Sequence, residues 1–143
     1  MNDIKAAIYS KLSGTSAITA IVGSKIYAVA APQDQQPPYV VFEFDNTKAT
    51  HHLRGTTEFW KAVLTVVGYA NSSSTAADLS DAVRSCLDSF QGTIGDLSVR
   101  HCLLMEIDES YAPPKHGTRF GDYLTISVYD IGWHAEAYSL IES

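Results

Sequence analysis

The side chains with the most chemical potential in this sequence are its histidines, cysteines and paired carboxylates. His51 and His52 are adjacent, so they do not share a metal ion in the way that histidines three or four apart on a helix do. No Cys, Asp or Glu at a recognisable spacing completes a tetrahedral set around them, and a solvated loop pair is the simpler reading. His101 lies within a strand pattern and reads as structural. His116 stands between Lys115 and Arg119 in PPKHGTR, where the three would suit a phosphate or a carboxylate, although a plain solvated loop accounts for them as well. The pairs Asp108/Glu109 and Glu106/Asp108 sit at a strand end, which favours a hydrated edge over an acid and base couple. Ser10, Ser85 and Ser127 occur in no nucleophile elbow, and neither cysteine neighbours a histidine as an activated thiolate would. The stretch GTSAITAIVG from Gly14 lacks a lysine directly after its second glycine, and no GxGxxG follows a strand. These residues predict no enzyme, no cofactor and no metal site.

Composition narrows the partners. The 143 residues are 45% apolar and 18% charged, which is the make-up of one folded domain. Sixteen acidic residues against ten basic ones give a net charge of −6, with no run of Lys or Arg. Gripping nucleic acid through its phosphates needs a concentrated positive patch, so specific nucleic-acid binding is not expected. No stretch approaches the roughly 18 apolar residues of a membrane span, and MNDIKAAIYSKL lacks the apolar centre of a secretory signal. A soluble protein made in the cytosol is expected, with Cys86 and Cys102 as buried free thiols rather than a disulfide.

The elements that would position these residues are organised around SSSTAADLSDAVRSCLDSF, Ser72 to Phe90. Ala76, Leu79, Val83, Cys86, Leu87 and Phe90 recur at steps of three and four, along one side of a helix. Thr75 with Asp78 marks a capped start, and Gly92 a left-handed exit. Before this helix the pattern predicts a helix over Asp3 to Leu12, a short helix over Ser16 to Val22 and a strand over Lys25 to Ala30. Alternating strands follow at Tyr39 to Asp45 and Glu58 to Ala70. After the helix come strands at Leu97 to Ile107 and Asp122 to Gly132, then a tail from Trp133. Asn46 to Thr57 and Asp108 to Gly121 read as long polar connections, a length that usually goes with function. The sum is an α+β fold: one mainly antiparallel sheet of about five strands, with the N-terminal and central helices on one face, in a single domain over residues 1–132 and a tail over 133–143.

A sheet covered by helices on one side should be polar on the other. Here the alternation places Tyr39, Val41, Phe59, Val63, Val67, Tyr69, Tyr123, Tyr129 and Ile131 on the second face, with Leu124, Ile126 and Val128 inward. A contiguous apolar patch of this kind usually marks a contact surface. Phe59, Val63, Val67, Tyr69, Tyr123, Tyr129 and Ile131 are therefore expected to form a subunit interface in a homo-oligomer, the alternative being that one helix or the C-terminal tail folds across this face within the monomer.

The order of motifs resembles the tail-completion, or tail-terminator, proteins of long-tailed bacteriophages and prophages. The shared marks are Gly23 before the Ile26-Tyr27 pair, Pro32 followed by Pro38-Tyr-Val-Val-Phe42, and a strand ending in Tyr69-Ala-Asn-Ser72 that leads into the central helix. The likeness runs to about Tyr129. It implies a small structural subunit that assembles as a ring, commonly a hexamer, on the end of a finished tail tube, stops its growth and presents a surface to the head connector. The partners implied are further copies of itself, the tail tube protein and the head connector protein, with DNA passing through the lumen and no membrane involved. Such a protein would assemble in the bacterial host cytoplasm and remain in the tail or neck of the virion. Lys48, His51, His52, Arg54, Lys115, His116 and Arg119, on the two long connections, are the candidates for docking to the tube or connector. Two other readings fit the element order: a different neck or head-completion protein, and a small-ligand-binding α+β domain, which would show a deep pocket with converging polar groups.

Overall fold

The computed structural model describes residues 2–51, 58–112 and 122–135. The described chain runs α1 (Asn2–Ser13), α2 (Ser16–Val22), β1 (Ile26–Ala28), β2 (Tyr39–His51), β3 (Glu58–Ala70), α3 (Ser73–Leu87), β4 (Gly92–Ile94), β5 (Leu97–Ala112) and β6 (Asp122–Ala135). The strands form one sheet in the order β1-β2-β3-β6-β5-β4. Only the short β1 edge is parallel to its neighbour; the other pairs are antiparallel. The α+β class and the single sheet agree with the expectation, and β4 raises the number of strands from about five to six.

All three helices share one hydrophobic core with one face of the sheet. Ile4, Ile8 and Leu12 of α1, Ile18 and Val22 of α2, and Leu79, Val83 and Leu87 of α3 meet Val40, Phe42, Leu64, Val66, Tyr129 and Ile131 from the strands. Side chains of this size stabilise by roughly 1.5–3 kcal/mol each when fully buried, so the roofed face outweighs any surface charge pair. α3 starts one step earlier than Thr75 and Asp78 suggest. Ser72 is its N-cap, accepting from the Thr75 N–H at 3.2 Å while its own hydroxyl contacts the Thr75 hydroxyl at 3.0 Å. Its exit is made by Ser89 at φ +63°, and Gly92 opens β4 instead. Cys86 and Cys102 are buried free thiols. The Cys86 sulfur lies 3.1 Å from the Thr15 hydroxyl and ties α3 to the start of α2.

Two expected loops begin as strand. β2 continues through Asn46 to His51, pairing with Glu58 to Lys61, across an irregularity between Asp45 and Lys48 that absorbs Asn46 at φ +54°. β5 continues from Asp108 to Ala112 against Asp122 to Thr125. The register puts His51 and Glu58 at the end of the sheet where β6 finishes, and Ala112 and Asp122 at the opposite end. The tail expected from Trp133 also begins later, because Trp133 is a core residue of β6, facing Trp60 across the β3 ladder.

Candidate assembly surface

The face of the sheet away from the helices carries no helix or strand among the described residues. β2 contributes Tyr39, Val41, Glu43 and Asp45, and β3 contributes Phe59, Lys61, Val63, Thr65, Val67 and Tyr69. β6 adds Leu124, Ile126, Val128 and Asp130 in register with them. Phe59, Val63, Val67 and Tyr69 thus lie on the open face as expected, and each is half-buried.

Three residues assigned to that face belong to the other. Tyr129 and Ile131 are wholly buried under the helices, and Tyr123 pairs with Ala70 on the same helix-facing side. Leu124, Ile126 and Val128 take the open face instead. The cause is steric. α3 presses closest where a Cβ on Gly68 would stand 2.8 Å from Leu79 Cδ2 and 3.0 Å from Thr125 Oγ1. Beneath the helix β6 therefore presents Thr125 and Ser127, each 2% exposed, while Leu124, Ile126 and Val128 point away. Hydrophobic alternation reads such a strand backwards, since between Leu124 and Val128 the aliphatic side chains sit on the uncovered side.

β5 departs in a similar way. Irregularities between Val99 and His101 and between Leu104 and Glu106 interrupt its alternation. Leu97, Val99 and Cys102 are buried, whereas Leu103 is 50% and Met105 61% exposed. Leu103, Met105 and Ile107 were expected on the core face with Leu97 and Val99.

The open face has an aromatic group at each end. At one end Tyr39 and Tyr69 stack with centroids 4.4 Å apart and planes 14° from parallel, and Tyr27 meets Tyr39 edge-on at 6.4 Å. Burial pushes the Tyr39 phenol up to about 12, helped by the nearby Tyr69 and Asp122; Tyr69 is also raised, by burial and then by Asp122 and Glu43. At the other end Phe59 and His101 lie 6.2 Å apart over Gly132, where any Cβ would collide with both rings. His101 Nε2 stands 3.6 Å from Asp130 Oδ1, too long for a hydrogen bond.

Of the expected docking residues, Lys48 is exposed on the open face of β2, directly opposite Lys61. Reading the sequence gave no hint of that like-charged pair, because it depends on register. His51 is the last residue of β2, paired with Glu58. His52, Arg54, Lys115, His116 and Arg119 lie outside the described residues. Among the described residues no three His, Cys, Asp or Glu side chains gather where they would hold a metal ion, and no helix is long and apolar enough to cross a membrane.

A sheet roofed by helices on one side, with its other side bare among the described residues, defines a small single-sheet α+β protein. The family model of tail completion protein gp17 matches residues 6–114, and the chain belongs to that family. It is accordingly a structural protein of bacteriophage tail completion. A solved chain from the "Virion of native gene transfer agent (GTA) particle" shares the fold, with a TM-score of 0.65 and 16% identity over 91% of this chain and 93% of that one. A second solved chain has a TM-score of 0.54 and 18% identity, covering 94% of this chain and 95% of its own. No curated protein sequence matches.

Proposed function

We propose that this chain closes the end of a phage-type tail tube as a subunit of a ring, hexameric as the family resemblance implies, stops tube growth and offers the surface to which the head connector joins. The observation that carries this reading is the uncovered apolar face. Phe59, Val63, Val67 and Tyr69, with Leu124, Ile126 and Val128 in the places first given to Tyr123, Tyr129 and Ile131, become buried against neighbouring subunits. A ring needs one heterologous contact repeated until it closes, and a face left bare by its own chain supplies the reason to associate. The chain works as a scaffold rather than a catalyst. Its acidic balance suits a lumen through which DNA slides without being held.

The strand ends that lead into residues 52–57 and 113–121 lie at opposite ends of the sheet. That placement supports one set, with Lys48, His51, His52 and Arg54, meeting the tube or the connector, and the other, with Lys115, His116 and Arg119, meeting the remaining partner. Assembly takes place in the host cytoplasm and the ring stays in the tail or neck of the particle. The test is a Val63→Asp, Val67→Asp double variant. Helical content should be kept while the rings seen by light scattering disappear; rings of unchanged mass would exclude this face. Deleting residues 51–54 should spare the ring and block tail completion, read as the yield of infectious particles.

A further inference from the structure

The two long strands on either side of the sheet each outrun a short edge partner. β1 covers only Val40 to Phe42 of β2, with two further hydrogen bonds, from the Val40 N–H to the Lys25 carbonyl at 3.0 Å and from the Val29 N–H to the Phe42 carbonyl at 2.8 Å. From Phe44 to His51 no strand lies beside the outer edge of β2 among the described residues. At the other side β4 covers Leu97 to Val99 of β5. The end of α3 then caps the next stretch: the Ser89 N–H donates to the Cys102 carbonyl at 2.7 Å, and Asp88 Oδ1 accepts from the Leu104 N–H at 3.1 Å. From Met105 to Ala112 the outer edge of β5 is bare among the described residues. A bare strand edge presents a row of backbone donors and acceptors to any other strand, and natural proteins usually blunt such an edge. This one is not blunted by apolar restraint. Four of the six exposed large hydrophobic residues among those described, Leu103, Met105, Ile107 and Tyr111, are on β5.

We infer that the overhang of β5, Met105 to Ala112, pairs with the overhang of β2, Phe44 to His51, of a second copy of this chain, so that subunits join edge to edge through a continuous sheet. This deepens the ring reading and rests on it. Three features select a second copy. First, β2 and β5 run in opposite directions within the sheet, so copies placed side by side in one orientation meet as antiparallel strands. Second, both overhangs are C-terminal to their blocks. In antiparallel pairing β1 of one copy falls beyond Ala112 of the other, and β4 falls beyond His51, so neither short strand stands against the other copy's overhang. Each overhang is eight residues, roughly 25 Å of strand.

Third, the charges complement. Laid end to end, the overhangs bring Lys48 opposite Asp108, Ala49 opposite Ile107 and Thr50 opposite Glu106. Lys48, Thr50, Glu106 and Asp108 all belong to the open face by register, and Ala49 and Ile107 to the helix side. Over Lys48 to Thr50 and Glu106 to Asp108 the pairing therefore keeps helices with helices, and the irregularity between Asp45 and Lys48 resets the faces beyond that stretch. Lys48 faces Lys61 within its own subunit, a like-charged cross-strand pair that costs stability, and no carboxylate pairs with either lysine among the described residues. Asp108 and Glu106 of the neighbour relieve it, so in this arrangement Lys48 serves the subunit joint, and His51, His52 and Arg54 are left to meet the tube or the connector. The joint also sets Phe59, beside Thr50, in one row with Val128, beside Glu106 of the next copy. The edge joint leaves the open face itself uncovered, so that face makes a separate contact in the same ring.

The test uses the full chain with two exposed positions changed to cysteine, Lys48→Cys and Asp108→Cys, since Cys86 and Cys102 are buried. Under mild oxidation the double variant should give a ladder of disulfide-linked species up to the size of the ring. Each single variant should stay uncrosslinked, and an equal mixture of the two should stop at dimers. Rings of normal mass without a ladder would overturn the edge joint and leave the proposed function standing. Dimers from Asp108→Cys alone would overturn it in favour of two-fold pairing of β5 with itself. Absence of both rings and ladder would remove the ring reading together with the joint.

Discussion

Both faces of this sheet carry rows of apolar side chains, yet they are built on different terms. Under the helices the side chains alternate between large ones, such as Phe42, Leu64 and Tyr129, and the small Gly68, Thr125 and Ser127 on which α3 rests. On the open face Val63, Val67, Ile126 and Val128 are of similar size and lie in even rows, half-covered only by one another. The first is a surface shaped by a partner within the chain. The second is smoother and suits a partner that arrives later. Apolar content alone does not say which face is the core; the pattern of small residues does, because a helix resting on a sheet needs room.

This contrast is sharpest at two adjacent residues. Leu64 is wholly buried and Val63 half-buried on the opposite side of the same strand. Leu64→Ala should lower stability by about 2–5 kcal/mol, and Val63→Ala by about 1 kcal/mol or less in the isolated subunit. Urea denaturation midpoints at unchanged slope would measure both. Equal losses would mean that the open face is already covered within the monomer, and the distinction drawn between the faces would fail. A somewhat smaller effect is expected for Gly68→Val. Its side chain would have to displace Leu79 and Thr125, at a cost of about 1–3 kcal/mol. Thr65→Val, on the open face of the same strand, should leave the midpoint nearly unchanged.

The sequence made the helices, the succession of elements and the inner and outer faces of β3 legible, because α3 has a clear 3.6-residue stripe and Glu58 to Ala70 alternates with only Lys61 and Thr65 interrupting its apolar faces. The short α2 was readable to the residue from Ile18, Ile21 and the glycine that follows. What escaped was everything that depends on pairing. β6 was read with its faces exchanged, since Leu124, Ile126 and Val128 look more like core than Thr125 and Ser127. The inversion is visible only once Gly68 is set beside Thr125. In β5 the extra residues around Arg100 and Met105 reset the alternation, and a bulge leaves no mark in hydropathy. The polar ends of β2 and β5 were taken for loops because edge overhangs carry polar residues for the same physical reason that loops do. Of the assembly surface, the β3 residues were readable and the β6 residues were not.

Tyr129 separates the faces by a finer measure. Its hydroxyl is buried with no hydrogen-bond partner of good geometry, although Ser127 is close enough to favour the phenolate slightly, and burial pushes its ionisation up to about 12. Tyr129→Phe removes an unsatisfied polar atom and should raise stability by about 1 kcal/mol. A loss would reveal a partner for the hydroxyl.

The smallest effect is the most diagnostic. Tyr39, Tyr69 and Tyr129 are all raised above the ordinary tyrosine value of 10.0, so the folded chain keeps protons that the unfolded chain releases. Their contribution to stability is complete below pH 10 and is lost at higher pH, for Tyr39 and Tyr129 as the pH climbs through about 12, which predicts alkaline unfolding in that window. Tyrosinate absorbance followed against pH should show late steps that Tyr39→Phe and Tyr129→Phe each reduce. Assembly distinguishes the two. Covering the open face withdraws more water from Tyr39 and Tyr69 and should shift their steps further upward, while Tyr129, already under the helices, should not move. Identical titrations for the assembled and the isolated chain would place the tyrosine stack outside the interface, and only the Phe59 end of the open face would then remain to carry the contact.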